Sequence, residues 1–166
     1  LGLTYLPQEP SIFKGLTVEA NIFSALEQRK DLDYKERQKE LDSLLRDFGL
    51  DELSKTLGIK LSGGERRRTE IARSVASNPE FILLDEPFAG IDPIAVSDLK
   101  SIIHSLNKKG IGVVISDHNV RDTMNICTKV LIVNKGKIIA NGVPSEIAND
   151  KLVKEVYLGK DFDTEL

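Results

Sequence analysis

Short apolar, β-branched runs alternate along the chain with stretches in which apolar residues recur every three or four positions. This pattern predicts an α/β fold on a mostly parallel sheet. The first run, Leu1–Leu6, is stopped by Pro7. Phe81–Leu84 and Gly112–Ser116 are continuous apolar runs, as expected of strands buried on both faces. Val130–Val133 and Lys137–Ala140, joined through Asn134-Lys135-Gly136, predict an antiparallel hairpin at the sheet edge.

Between the first two strands the period becomes helical. Thr17 is placed to cap a short helix through Leu26. Asp33 and Glu36 have the spacing of a capping box; Leu41, Leu44, Leu45 and Phe48 then form one apolar stripe, closed by Gly49. Another short helix is expected from Asp51 to Leu57. Residues 17–59 thus read as an all-helical insert, continued through 60–77, whose Glu65–Ser77 helix carries Ile71 and Val75 one turn apart and stops at Asn78-Pro79. Pro93–Lys109 predicts a helix with Leu99, Ile102, Ile103 and Leu106 inward and Gly110 as its stop; Val120–Cys127 predicts a shorter one. Residues 79–142 form the strand-bearing core, and 143–166 a tail that is helical from Pro144 to Leu158 and ends at Gly159.

The 166 residues, 40% hydrophobic and 30% charged, suffice for one core of ordinary size and exclude a disordered chain. Lys and Arg number 23 against 26 Asp and Glu, a net charge of -3, which argues against nucleic acid as the main partner. No apolar run approaches the roughly 18–20 residues of a membrane-spanning helix. A lone Cys127 forms no internal disulfide, which fits a reducing compartment.

Two stretches carry candidate chemistry. Phe81–Leu84 delivers Asp85 and Glu86 to the C-terminal end of a strand, where open α/β sheets bind ligands. Adjacent strand residues face opposite sides, so Asp85 can hold a hydrated Mg²⁺ while Glu86 activates a water. The same Asp-Glu-Pro can instead simply cap a strand and open a turn. Ser62-Gly63-Gly64-Glu65 opens the next helix, where free N–H groups and the dipole favour an anion. A glycine-rich cap explains Gly63 and Gly64 but leaves Arg66, Arg67 and Arg68, three cations in a turn that disfavours them; a polyphosphate or acidic neighbours would compensate.

Ser62-Gly63-Gly64, followed by the apolar strand and Asp85-Glu86, resembles the signature motif and Walker B strand of ATP-binding-cassette (ABC) ATPases. Gln8 matches the Q-loop glutamine, Ala89-Gly90-Ile91-Asp92 the D-loop and His118 the switch histidine, all in the family's order. The resemblance covers essentially the whole chain. It implies a P-loop NTPase-like fold with an inserted helical subdomain, ATP and Mg²⁺ as cofactors, and a homodimer sandwiching two ATP. Ser62, Gly63, Gly64 and Glu65 would bind the nucleotide of the partner copy, Asp85 and Gln8 would serve Mg²⁺, Glu86 would be the general base, His118 would align the γ-phosphate and the attacking water, and Asp92 would pass contacts across the dimer.

Tyr5–Glu9, Gly64–Arg68, Asp85–Asp92, Asp117–Arg121 and the tail Val156–Phe162 are similar to the branch that powers lipopolysaccharide export. That implies permease partners of the lipopolysaccharide-transport (Lpt) type, no direct contact with cargo, and a cytoplasmic, peripheral place on the inner membrane. A branched-chain amino-acid importer subunit, a non-transport ABC ATPase and a non-enzymatic interaction module are the alternatives. One family element is missing: the sequence holds no G-x-x-x-x-G-K-[ST]. The chain is accordingly read as an N-terminally truncated ABC ATPase domain, inactive alone and poorly soluble. His104, mid-helix and without such company, reads as an ordinary structural residue. Phe13 and Leu16, just past Gln8, suit either a groove for a membrane partner or packing of the helical insert.

Overall fold

Leu3–Leu6 (β1), Phe81–Asp85 (β2) and Gly112–Ser116 (β3) form one parallel sheet in the order β1-β2-β3, with Leu3 opposite Phe81 and Asp85 opposite Ser116. These coordinates are a computed structural model that describes residues 2–155, so the tail motif at 156–162 lies outside the described residues. The chain divides into two compact units at Ser116/Asp117.

In the first unit, helices Gly63–Ala76 (α3) and Pro93–Lys108 (α4) pack on β1 and β3. Leu6, Ile82 and Leu84 from the sheet meet Ile71, Ala72 and Leu99 in a core where none is more than 1% exposed. The strands are not buried on both faces as their apolar runs predict. Leu3, Tyr5, Phe81 and Val114, all on the other face by register, are 58%, 56%, 51% and 51% exposed. No described helix covers them. On α4, Leu99, Ile103 and Leu106 are buried as expected, while Ile102 lies at the margin.

The helical insert is Val18–Leu26 (α1), capped by Thr17, and Tyr34–Asp47 (α2), whose Asp33–Glu36 capping box forms as predicted. Helix α1 packs against α3 and α2. The helix expected over Asp51–Leu57 shrinks to a 3-10 turn, Asp51–Leu53. The carbonyls of Ser54 and Thr56 instead accept the N–H groups of Glu19 and Val18, each at 3.0 Å, and Leu57 bridges Thr17. Those two donors are orphans of the α1 N-terminus, and satisfying them outweighs another turn of helix.

In the second unit Val120–Met124 (α5) ends sooner than expected, with Ile126 and Cys127 both donating to the Thr123 carbonyl in a closing turn. The hairpin Val130–Asn134 (β4) and Lys137–Gly142 (β5) is a separate two-stranded sheet and not an edge of the parallel one. It has its own core of Met124, Ile132, Ile147, Ala148 and Val153. Its turn places Lys135 and Gly136 at φ 46° and 75°, the primed geometry that suits strand twist. The tail helix is broken at Asp150 into Pro144–Asn149 (α6) and Lys151–Val153 (α7). The Asp150 carboxylate takes the Leu152 and Val153 N–H groups at 2.8 and 3.0 Å, so a local cap replaces continuous helix.

Candidate functional site

Pro7 ends β1 and turns the chain so that Gln8 faces the end of β2. The Gln8 Nε2 donates to Glu86 Oε2 at 2.7 Å, joining residues 78 positions apart. Glu86 itself sits at φ 39°, a left-handed conformation rare outside glycine. Its N–H donates to the Ser116 carbonyl at 2.7 Å and its carbonyl accepts from Ala89 at 3.1 Å, so the strained residue is fixed from both sides. Gln8, Gly63, Arg66, Glu86, Ala89 and Gly90 line one cleft in the first unit.

Asp85 looks the other way. Its Oδ2 accepts from the Tyr5 hydroxyl at 3.0 Å on the exposed face of the sheet. That hydrogen bond to a carboxylate raises the Tyr5 hydroxyl above its ordinary pKa. The two adjacent acids therefore occupy separate surroundings, and Gln8 is brought to Glu86 and not to Asp85.

Ser62 caps α3 in a full capping box: Glu65 donates its N–H to Ser62 Oγ at 3.3 Å, and Glu65 Oε2 accepts from the Ser62 N–H at 2.8 Å. The Ser62 hydroxyl accepts there and keeps its own hydrogen to give. Gly63 has open room, since a Cβ would meet only the Gly90 carbonyl, at 3.4 Å. Gly64 is different. It is buried, and a Cβ would lie 2.5 Å from that of Ala95, so helix packing alone demands glycine there. Asp92 spends its carboxylate capping α4, accepting from the Ala95 N–H at 3.0 Å. His118 lies in the second unit, 75% exposed, with Nδ1 3.9 Å from Asp117 Oδ1.

The three arginines separate by neighbourhood. Arg68 pairs with Asp98 at 3.2 Å, and the Arg66 guanidinium has no partner among the described residues. Arg67 is buried, donating to the carbonyls of Pro7 and Asp85 and pairing with Glu70. Desolvation lowers the Arg67 pKa, and Glu70 and Asp85 push it back up; the group stays charged. In sequence Glu70 does not stand out as a site residue, and Arg67 does so only as one of three consecutive cations. The signal available was their opposite charge at i, i+3 on one helix face. On the loop after Gln8, Arg73 stacks its guanidinium 4.7 Å from the centre of the Phe13 ring, which is itself 52% exposed.

No group of three His, Cys, Asp or Glu side chains gathers among the described residues. Mg²⁺ needs none: it takes one or two carboxylates, keeps waters and uses substrate phosphates, and the all-oxygen donors of Asp85 and the Gln8 amide suit such a hard ion.

Comparison with known proteins bears on the family and the fold. The ABC transporter family matches residues 2–89, and the branched-chain amino acid ATP-binding cassette transporter family matches residues 137–163. The chain is 55% identical over 161 residues to the lipopolysaccharide export system ATP-binding protein LptB of Haemophilus influenzae and 52% identical to that of Escherichia coli K12, in each case covering 97% of this chain and 67% of the relative. Among solved structures, cbiO1 of Clostridium perfringens, part of the ABC transporter complex cbiONQ, superposes with a TM-score of 0.81 at 28% identity over 93% of this chain and 62% of that one. MJ1267, an ATP-binding cassette in its ADP conformation, gives 0.78 at 26% identity over 95% of this chain and 68% of that one.

Proposed function

The chain belongs to the ABC transporter family, and from that premise we propose that it carries the signature, Q-loop and Walker B elements of an ATP-hydrolysing subunit that powers lipopolysaccharide export, working as a dimer with two ATP between the copies. The contact of Gln8 with Glu86 beside the N-terminus of α3 carries this reading. The 55% identity to an LptB protein over 97% of the chain supports the cargo class.

Phosphoryl transfer needs positioning and charge stabilisation more than covalent chemistry. The α3 N-terminus offers free N–H groups, the positive dipole end and the spare Ser62 hydrogen to the terminal phosphate of a nucleotide on the partner copy. Glu65 holds Ser62 in place through the capping box. Glu86 accepts the proton of the attacking water. The Gln8 amide keeps that carboxylate oriented into the cleft and retains its own oxygen for the ion. Mg²⁺, when bound, would supply positive charge against the phosphate oxygens; Gln8 lines the cleft to serve it, whereas Asp85 would have to give up its Tyr5 contact on the other side of the strand to share the ion. His118 would hold the γ-phosphate, and Asp92 would lie near the dimer seam. These residues contain no G-x-x-x-x-G-K-[ST], so no lysine of that motif is assigned to the phosphates.

Exposed Phe13 and Leu16 form the surface that would receive a permease subunit of the Lpt type, placing the protein on the cytoplasmic face of the inner membrane without touching cargo. A second reading, an importer subunit for branched-chain amino acids, draws on the match at residues 137–163 and uses the same chemistry. The test is Glu86→Gln in the intact polypeptide. Hydrolysis should fall at least about 100-fold while MgATP binding and pairing of copies persist. Failure of the intact polypeptide to bind MgATP or to pair would overturn the reading. Co-purification with lipopolysaccharide-export or amino-acid permeases separates the two cargo classes.

A further inference from the structure

The peptide groups that set Gln8 and Glu86 share a single donor. Arg67, 5% exposed on α3, gives Nη1 to the Pro7 carbonyl at 2.8 Å and Nη2 to the Asp85 carbonyl at 2.9 Å. These carbonyls belong to the Pro7–Gln8 and Asp85–Glu86 peptides. The other end of the Asp85–Glu86 peptide, the Glu86 N–H, is held by Ser116. A residue kept at φ 39° needs its surroundings to over-determine it, and a peptide fixed at both ends does so. Arg67 Nη1 also lies 3.4 Å from Glu70 Oε2, and Glu70 Oε1 accepts the N–H groups of Ser11 and Ile12 at 2.7 and 3.0 Å. The tips of β1 and β2 and the loop after Gln8 are therefore tied to one buried ion pair on the helix whose first residues form the signature.

We infer that Arg67 is a positioning residue for the Gln8–Glu86 pair: its guanidinium fork sets the spacing of the two peptides, and so relays movement of the α3 N-terminus to the two groups that handle the attacking water. The fork is essential, because a planar guanidinium reaches two carbonyls in fixed directions whereas an ammonium is a point charge. The inference rests on the proposed reading of Gln8 and Glu86, and it adds a connection between the end of α3 that would meet the partner's nucleotide and the acid that would act on this copy's own.

The test is Arg67→Lys in the intact polypeptide, which keeps the charge beside Glu70 and loses the fork. Amide hydrogen exchange at residues 8–12 and 86–90 should rise at least tenfold and well beyond any change at α2, the loss of a buried hydrogen bond lowering the melting midpoint without abolishing a cooperative melt. Turnover should fall at least tenfold with KM for MgATP within twofold of wild type, and Gln8→Ala should cost less in the Arg67→Lys background than alone. Unchanged exchange at both segments, parallel loss of turnover and affinity, or additive effects with Gln8→Ala would each overturn the inference. Glu70→Gln is the second variant. It leaves both carbonyl contacts, so exchange should rise at Ser11 and Ile12 only and turnover should stay within threefold; a tenfold loss there would assign the role to the ion pair instead of the fork. If the wild type does not hydrolyse MgATP, the ATPase reading fails, while the exchange experiment still decides whether Arg67 positions these segments.

Discussion

Ala95 stands where a side chain on Gly64 would go: a Cβ on Gly64 would lie 2.5 Å from the Ala95 Cβ. The second glycine of the signature is thus required by the packing of α3 on α4, whatever its N–H does for a ligand. Gly64→Ala should destabilise by about 1–3 kcal/mol, the usual cost of overpacking a close contact. Ala95→Gly should recover part of that loss, offset by its lower helix propensity of about 1 kcal/mol. Gly63→Ala, with only a carbonyl at 3.4 Å, should leave the urea midpoint nearly unchanged and act on nucleotide-dependent pairing. Equal destabilisation by both alanines in urea titrations would refute this division of labour.

Asn21 holds the loop that follows Gln8. Fully buried, it accepts the Phe13 N–H at 2.9 Å and donates to the carbonyls of Phe13 and Thr17 at 3.1 and 2.9 Å. Asn21→Ala leaves several of these groups without partners, and each buried polar group so left costs about 1–3 kcal/mol. Chemical denaturation should show a loss of at least that size, and limited proteolysis should open first between residues 13 and 16. Cleavage elsewhere, with this loop still protected, would contradict the assignment.

Local rules made much of this fold legible. The Asp33–Glu36 capping box and the Leu41–Phe48 stripe form where the sequence puts them, because both are settled within one or two turns of chain. Asp51–Leu57 keeps only the 3-10 turn Asp51–Leu53, because distant N–H groups at Val18 and Glu19 claim the carbonyls that follow. The arginines look alike in sequence, yet one is buried, one pairs at the surface and one lines the cleft; proximity to Pro7 and Asp85 makes that choice, and no local pattern encodes it. Gln8 and Glu86 were visible as candidates through the family's order of motifs. Their contact at 2.7 Å is a product of β1–β2 register.

The bare face of the parallel sheet governs behaviour in solution. Leu3, Tyr5, Phe81 and Val114 lie side by side, and the Phe81 ring covers Gly112 so closely that a Cβ there would come within 2.3 Å. Contiguous exposed apolar surface of this kind drives association. Residues 1–166 expressed alone should self-associate on a sizing column and bind a hydrophobic dye. The double variant Leu3→Thr with Val114→Thr, which places a strand-favouring β-branched side chain at both positions, should reduce both without lowering the melting midpoint. A monodisperse wild-type chain with a cooperative melt would contradict this expectation.

Cys127 provides a pH-dependent handle on the second unit. Burial raises its thiol pKa above the usual range, because the thiolate is poorly solvated there. At pH 8 iodoacetamide, which reacts with the thiolate, should modify the folded chain several-fold more slowly than the urea-unfolded chain. The linkage has a definite sign. A raised native pKa means the unfolded chain loses this proton first, so the thiol's contribution to stability is fully present below about pH 8.5, where a free thiol ionises, and is lost as pH rises through the native value. The urea midpoint should therefore drop more between pH 7.5 and 9.5 in wild type than in Cys127→Ala. Equal slopes in the two proteins would show that the thiol is as well solvated in the folded state as in the unfolded one.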